Sequence, residues 1–332
     1  MYDEFFGLAR MPFGTSADLR FLYLTPQHRE AATGLICTIL NREGCAILTG
    51  EPGTGKTMVL RAMLASFPVE SVLVCDLLVP TLSPTEFLEY VLLRLGVDTT
   101  GLASKAQRLL SLERFLLDAR CHGRTVVLIV DEAQSLPVDV LEEIRLLMNL
   151  EDHEGKLLQI MLAGQPELDN LLRQKPSRQL KQRVAYRFLL HPLSMLDVES
   201  YIGHRWRRAG ASTRPPFDRE AIRNIAVYSR GIPRLINIIC NNALLAAYAS
   251  GNTTIRASGV SGAVHNLDLA RNDEVAALML GGPKDEIADL RQLASGDPLS
   301  SRSLVRSVAR PAGCAPASPW LVRSARKLRL LW

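Results

Sequence analysis

A glycine-rich segment that ends in a lysine and a threonine carries the clearest chemical pattern of this chain. Residues 50–57 read Gly-Glu-Pro-Gly-Thr-Gly-Lys-Thr, which fits the spacing of a phosphate-binding loop. Glycines let the backbone turn tightly, so that successive N–H groups converge on a phosphate at a helix N-terminus. The lysine would reach the β- and γ-phosphates, and the last threonine hydroxyl would bind magnesium. The sequence therefore predicts a nucleoside-triphosphate site formed by Gly50, Glu51, Pro52, Gly53, Thr54, Gly55, Lys56, Thr57 and Met58.

The residues on either side of this loop support the same interpretation. The apolar residues 45–48 are typical of a buried strand, and residues 58–64 continue with helical periodicity. A strand, a loop and a helix in this order form the context in which the pattern binds phosphate. The alternative is a loop that contains glycines by chance, and both flanks argue against it.

Two acidic residues follow the longest apolar strand pattern of the chain. Residues 125–130 read Thr-Val-Val-Leu-Ile-Val and continue directly into Asp131 and Glu132, which is typical of a central parallel strand. We expect this strand and the strand before the phosphate loop to have neighbouring ends. Asp131 would then hold Mg²⁺ together with Thr57, and Glu132 would deprotonate the attacking water. An acidic loop after a buried strand is the alternative.

Two further polar residues are candidates for contact with the γ-phosphate. Gln165 ends the next strand, where its amide could bridge the γ-phosphate and the water; a helix-capping contact before Pro166 is the alternative. Residues 231–234 read Gly-Ile-Pro-Arg and open a helix, with proline suited to the first helical position. Arg234 would reach the γ-phosphate if the helical region folds over the nucleotide. Otherwise this tetrapeptide is an ordinary helix start.

A basic segment without any acidic residue covers residues 173–187. It could pair with phosphate, either of a nucleic acid or of the nucleotide held by a neighbouring subunit. An arginine donated in trans accelerates phosphoryl transfer by about 10³–10⁵, and Arg183 is our preferred candidate for this role. The alternative is a solvated basic face. The six residues are Arg173, Lys175, Arg178, Lys181, Arg183 and Arg187.

Two ring side chains are weaker candidates for contact with a nucleobase. Trp206 lies between two arginines and could stack on a base, although a half-buried helix face also explains it. His28 precedes the phosphate loop and could contact the base, although a packed or exposed histidine also accounts for it.

Composition and charge restrict the class of protein. The chain has 332 residues, a net charge of +5 and six cysteines without a CxxC pair or metal-ligand spacing. Most of the cysteines sit in apolar surroundings and are therefore predicted to be small core residues and not disulfides. The N-terminus lacks the pattern of a signal peptide, and no run of eighteen apolar residues occurs. We expect a cytoplasmic protein without a membrane span.

The order of the predicted elements indicates an α/β fold. Strands near residues 45–48, 72–75, 125–130, 158–163 and 186–190 alternate with helices, which favours a doubly wound, five-stranded parallel sheet in a three-layer αβα sandwich. Four helical segments near residues 195–209, 218–229, 233–249 and 256–267 predict a small all-helical lid. The predicted domains are an N-terminal segment packing on the core (1–44), the P-loop core (45–193), the lid (194–270) and a basic, irregular tail predicted to be disordered (271–332).

The ordered set of motifs resembles AAA+ ATPases and, more closely, the family of general secretion pathway protein A, the ExeA-like ATPases. The resemblance covers about residues 1–268. Besides the phosphate loop and the acid pair, the matching segments are residues 5–8, 12–13, 48–51, 131–134, 141–147, 149–151, 156–160, 164–168, 180–183 and 231–234.

The resemblance implies an ATP- and Mg²⁺-dependent ATPase core with a helical lid, assembled into rings or filaments with nucleotide at the subunit interfaces. It assigns the Walker A motif to residues 50–57 and the Walker B motif to Asp131 and Glu132. It also gives Gln165 a sensor role and Arg234 a second sensor role, with Arg183 as the arginine finger.

The tail departs from the long members of the family, which continue into a membrane span and a peptidoglycan-binding domain and act with the secretion machinery. Short members resemble the ATPases that accompany transposases and bind DNA in their ATP state.

The predicted function is an ATP-hydrolysing oligomeric switch on a protein or DNA partner. The alternatives are a non-hydrolysing, ATP-dependent DNA-binding regulator of transposition with a transposase partner, and an ATPase of type II secretion. A DExx-type helicase would need a second nucleotide-binding-like domain, which residues after 194 do not resemble.

Overall fold

The computed structural model describes residues 2–77, 81–175 and 177–267. Its strands in chain order are β1 (Cys45–Gly50), β2 (Val72–Leu77), β3 (Thr125–Val130), β4 (Glu151–Asp152), β5 (Gly155–Lys156), β6 (Leu158–Gly164) and β7 (Tyr186–Leu190). Five of them form one parallel sheet in the order β2-β3-β6-β1-β7, while β4 and β5 form a short antiparallel hairpin. The predicted five-stranded parallel sheet is confirmed.

Helices cover both faces of this sheet. In chain order they are α1 (Tyr2–Phe5), α2 (Pro26–Leu40), α3 (Lys56–Ala65), α4 (Pro84–Arg94), α5 (Lys105–Cys121), α6 (Val138–Leu147), α7 (Glu167–Arg173), α8 (Arg178–Gln182), α9 (Met195–Arg208), α10 (Arg219–Ser229), α11 (Pro233–Ala249) and α12 (Ala257–Asn266). Two 3₁₀ turns lie at Leu19–Phe21 and Ala133–Ser135.

The core has two apolar layers because the central strands are buried on both sides. β1, β3 and β6 consist of buried residues from end to end, apart from the half-buried Thr125. Ile47, Leu128 and Ile160 belong to a cluster that includes residues of α4, α5 and α6. Neighbouring residues in a strand point to the opposite face, where α2 and α3 contact the sheet. This arrangement is the predicted three-layer sandwich.

The strand order corrects one expectation. β6 lies between β1 and β3 and pairs in parallel with both, so the strand before the phosphate loop and the strand before the acid pair are not direct neighbours. Apolar periodicity reports that a strand is buried but not which strand lies beside it. As a consequence, Gln165 leaves the sheet between the phosphate loop and the two acids.

The N-terminal segment contacts the helices that follow the sheet. Tyr2 Oη donates a hydrogen bond to Asn241 Oδ1 at 2.6 Å, and the Ala9 amide donates to the Ala209 carbonyl at 2.9 Å. Trp206 is 1% exposed and its ring packs edge-on against Phe6. Trp206 is therefore a core residue, and the interpretation that it stacks on a nucleobase is wrong.

Several smaller expectations can be compared with the described residues. The five cysteines among them are free, and three of them, Cys45, Cys75 and Cys240, are buried as predicted for most of the cysteines, whereas Cys37 is half-buried and Cys121 is exposed. None of the helices within the described ranges combines the length and apolar character that crossing a bilayer requires. The predicted tail, including Cys314 and the seven basic residues after Asp297, lies outside the described residues.

Gly231 lies between α10 and α11 and packs against the backbone of Leu193, shortly after β7. We expect this position to tolerate no side chain. Its φ is +72°, its carbonyl accepts a hydrogen bond from the Leu193 amide at 2.8 Å, and a Cβ there would lie 2.0 Å from the Leu193 carbonyl oxygen. Gly251 has a similar φ of +67°, but a Cβ at that position would meet open space. Gly251→Ala should cost about 1 kcal/mol through the left-handed backbone, and Gly231→Ala about 1–3 kcal/mol more through the clash.

Urea unfolding of both variants measures this difference. Equal losses in the free energy of unfolding would contradict the close approach between Gly231 and Leu193.

Candidate nucleotide-binding site

The phosphate loop connects β1 to α3, and α3 begins at Lys56. Gly53 and Gly55 have φ values of +84° and +108°, which glycine adopts without the strain that a side chain causes. A Cβ on Gly53 would also lie 2.7 Å from Arg234 Cβ. The loop therefore has the local geometry of an anion cradle, because it ends at a helix N-terminus, where the first N–H groups have no acceptor within the helix.

Lys56 lies inside this loop. Its side chain is 5% exposed, and Nζ donates hydrogen bonds to the carbonyls of Gly50 at 2.7 Å and Glu51 at 3.1 Å. Burial lowers the pKa of Lys56, and the nearby carboxylates, chiefly Glu132 and Asp131, act in the opposite direction. An anionic phosphate at this position would be attracted to a partly desolvated cation.

Thr57 and Asp131 bring the loop and the acid pair together across β6. Thr57 Oγ1 donates a hydrogen bond to Asp131 Oδ2 at 2.7 Å. A hydroxyl and a carboxylate are hard oxygen ligands, and Mg²⁺ typically takes one or two protein oxygens together with phosphates and water. Among the described residues no cluster of three or more His, Cys, Asp or Glu could hold a metal. The Thr57–Asp131 pair thus fits a magnesium ion that is bound mainly through nucleotide phosphates.

Glu132 is held by two amide side chains. Its Oε2 accepts hydrogen bonds from Gln134 Nε2 at 2.7 Å and from Gln165 Nε2 at 3.2 Å. Gln134 Oε1 in turn accepts a hydrogen bond from the backbone N–H of Gln165 at 3.0 Å. These contacts, the one from Gln134 above all, lower the pKa of Glu132. Glu132 itself has a positive φ of 55°, a backbone strain that occurs often at functional sites.

Gln134 is a site residue that the sequence reasoning did not single out. It matched the family only as the last letter of Asp-Glu-Ala-Gln at residues 131–134. Its approach to β6 depends on Gly164, where a Cβ would lie 2.8 Å from Gln134 Oε1. The structure thus adds Gln134 to the residues that surround Glu132.

Gln134→Leu should impair turnover by releasing the Glu132 carboxylate. Loss of the hydrogen bond should raise the Glu132 pKa, so that the acidic limb of the pH–rate profile moves to higher pH. The carboxylate also loses a contact that fixes its orientation, which should lower turnover at neutral pH by about tenfold. The pH dependence of kcat/KM measures the shift, with the exposed Gln182→Leu as control. An unchanged acidic limb would separate Gln134 from the protonation of Glu132.

A cavity of about 370 Å³ contains the loop residues 53–58 and Glu132 in its wall. Arg234 lines the same cavity from the start of α11, and its amide donates to the Gly53 carbonyl at 3.3 Å. The N-terminal residues 15–17 and Phe21 complete part of the wall. The lid and the N-terminal segment therefore share one cavity with the phosphate loop.

His28 also lines this cavity, but its ring nitrogens are already engaged. Nδ1 lies 2.6 Å from Thr25 Oγ1 and Nε2 lies 3.1 Å from the Thr54 carbonyl. Burial lowers the His28 pKa, so the neutral ring is favoured, with Nε2–H donating to Thr54. This is the packed-histidine alternative, in which His28 supports the loop backbone.

The basic segment lies apart from the cavity wall. Arg183 is exposed and its guanidinium contacts the side chain of Asn149. Arg187 pairs with Asp169 at 3.4 Å and donates to the Lys181 carbonyl. Arg183 does not line its own chain's cavity, so a role for it in phosphoryl transfer would have to be exerted on a neighbouring subunit.

Comparison with known proteins places this geometry in a family. Residues 39–172 match the model of an AAA domain. General secretion pathway protein A of Aeromonas hydrophila is 39% identical over 273 residues, which cover 82% of this chain and 50% of that protein. An uncharacterized HTH-type transcriptional regulator of Methanocaldococcus jannaschii is 28% identical over 169 residues, which cover 49% of this chain and 40% of the regulator. The chain thus spans half or less of these relatives.

A solved structure supports the fold over a greater length. The Aeropyrum pernix ORC2 protein in its ADPNP–ADP complexes superposes with a TM-score of 0.58 and 17% identity, covering 94% of this chain and 89% of that one. At this identity the likeness concerns the fold alone. The sequence matches show that the chain belongs to the AAA+ family and is related to general secretion pathway protein A.

Proposed function

We propose that this chain is an ATPase that binds ATP with Mg²⁺ and hydrolyses it. The observation that carries the proposal is the 2.7 Å contact between Thr57 and Asp131. This contact joins the phosphate loop to the acid pair, although a third strand separates the two strands that lead into them. Its partners belong to a loop and a strand end that a magnesium–triphosphate would bridge in P-loop proteins.

The residues divide the work of hydrolysis as follows. Residues 50–58 form the phosphate site, in which backbone N–H groups (Pro52 has none) face the phosphates, and Lys56 neutralises charge on the β- and γ-phosphates. Thr57 and Asp131 would hold Mg²⁺, which when bound neutralises charge developing on the phosphate oxygens. Glu132, kept ionised by Gln134 and Gln165, accepts a proton from the attacking water.

The lid would convert the nucleotide state into movement. Arg234 begins α11 beside the loop, with its amide on the Gly53 carbonyl, so that its side chain can contact a γ-phosphate. Release of that phosphate would remove the contact and free the lid (194–270) from the core (45–193). Arg183 would act on the nucleotide of the next subunit in a ring or filament of identical chains.

Light scattering of the Glu132→Gln protein tests this assembly. ATP and Mg²⁺ should increase the mass of the particles, because ATP is held at subunit interfaces without being consumed. The Lys56→Ala protein should show no increase. A particle mass that is the same with and without ATP in Glu132→Gln would overturn the oligomeric switch.

DNA is the second candidate partner. Arg173, Lys175 and Arg178 are exposed on α7, α8 and the turn between them, in a segment without acids, and such surfaces suit phosphodiesters. A regulator of transposition that uses ATP without hydrolysing it would bind DNA in the ATP state with negligible turnover. Its affinity for duplex DNA should fall steeply with salt, and a flat salt dependence would exclude phosphate contacts.

A link to secretion is the third candidate, favoured by the 39% identity to general secretion pathway protein A. The free cysteines of the described residues suit a reducing compartment such as the cytoplasm.

A further inference from the structure

Arg205 is a buried cation to which the reaction above assigns no role. It lies on α9 and is 3% exposed. Its hydrogen-bond acceptors are two backbone carbonyls and a phenol oxygen, none of them a carboxylate. Burying an arginine without a carboxylate partner is costly, so the position of this side chain needs an explanation.

The Arg205 guanidinium on α9 binds the backbone of the N-terminal segment to the lid. Its Nε donates to the Pro12 carbonyl at 2.6 Å, and Nη2 donates to the Gly14 carbonyl at 3.2 Å. The guanidinium carbon also lies 4.8 Å from the centroid of the Phe21 ring, within the range of a cation–π interaction. Three points on one short segment are thus held by one lid side chain.

Two further lid residues orient this arginine. Arg205 Nη1 donates to Tyr201 Oη at 3.0 Å, and Tyr201 Oη donates to Asn237 Oδ1 at 3.0 Å. Asn237 Nδ2 lies 3.4 Å from the same Gly14 carbonyl that Arg205 contacts. The network therefore links α9 and α11 to one turn of the N-terminal segment.

This segment and this network belong to the wall of the nucleotide cavity. Residues 15–17, Phe21, Tyr201, Arg205 and Asn237 line it together with the phosphate loop. A triphosphate would occupy the part made by residues 53–57, so the remaining wall is left for the nucleoside. Arg61 Nη1 donates to the Ala17 carbonyl at 2.6 Å, which ties the far end of the segment to α3, the helix that follows the phosphate loop.

We propose that Arg205 is a positioning residue for the nucleoside half of the substrate. By holding residues 12–14 against α9 and α11, it sets the width of the cavity where the base and ribose lie, without contacting the phosphates. The inference rests on the proposed binding of ATP. The lid would then contribute to nucleotide binding in two ways, through Arg205 at the nucleoside and, independently, through Arg234 at the γ-phosphate.

Calorimetric titration of the full chain with ATP and with tripolyphosphate, each with Mg²⁺, separates this role from a merely structural one. Arg205→Met keeps an unbranched apolar stem and removes the guanidinium with all its donors. We expect the Kd for ATP to rise by about tenfold or more, since hydrogen bonds of a charged group are lost, and the Kd for tripolyphosphate to stay within about twofold. Arg207→Met, on the exposed side of the same helix, should change neither.

Tyr201→Phe gives a second test if Arg205→Met does not fold. It removes one acceptor of the arginine and keeps the ring, so the Kd for ATP should rise by about threefold with tripolyphosphate unaffected.

An equal rise in the Kd for ATP and the Kd for tripolyphosphate in Arg205→Met would mean that Arg205 has only a structural role. An unchanged Kd for ATP would overturn the inference outright. A parent protein that binds neither ligand would instead refute the proposed function, which keeps the two failures distinct.

Discussion

Glu132→Gln is expected to lower ATP turnover by at least about 100-fold while ATP still binds. Glutamine has the same size but cannot accept the proton of the attacking water, and a positioned general base contributes about 10²–10⁴ in rate. Binding should persist because Lys56 and Thr57, on the loop, remain in place. Phosphate release measures turnover, and calorimetry measures the Kd for ATP.

Glu167→Gln is the matched control for this change. Glu167 is an exposed acid at the start of α7 whose charge acts on the pKa of Lys56, so its loss removes a nearby charge without removing the base. Its turnover should stay close to that of the parent. Equal turnover in Glu132→Gln and the parent would mean that another group, or none, activates the water.

Lys56→Ala is expected to lower ATP affinity by about 10–100-fold and to reduce turnover to background. The charge-assisted hydrogen bonds of a lysine to phosphate contribute about 1.5–3 kcal/mol, which corresponds to this range in Kd. The change also leaves the carbonyls of Gly50 and Glu51 without their present donor, so the loop loses an internal support. Calorimetric titration with Mg²⁺ and ATP measures the effect.

Lys156→Ala provides a comparison at the opposite end of the sheet. Lys156 lies in β5, just before the amino end of β6, and pairs with Glu151. It should bind ATP as the parent does. Parental affinity in Lys56→Ala would show that the loop does not bind the triphosphate.

The regular elements of the fold were predictable because each carries its own periodic signal. The predicted helix at residues 233–249 matches α11, and the strand at residues 125–130 matches β3. The short helices α7 and α8 and the β4–β5 hairpin were missed, since segments of two to seven residues contain too few turns or alternations to show a period. The order of strands was also missed, because it depends on packing between distant segments.

The candidate site divides in the same way. The phosphate loop and the acid pair are local patterns, and the structure brings Thr57 and Asp131 into contact. Gln134 and Arg205 act through contacts that span 31 and up to 193 residues of sequence, and no local pattern reports such pairs. Trp206 was open to two interpretations because its burial depends on Phe6, which lies 200 residues away.

Phosphate release from ATP by the purified parent protein, with Lys56→Ala as background, tests the central claim most directly. The phosphate loop and the acid pair should act on one magnesium-bound ATP. The parent should then release phosphate well above the background when Mg²⁺ is present and fall to the background when EDTA removes the metal. Release that is equal in the parent and in Lys56→Ala, or indifferent to EDTA, would contradict the account.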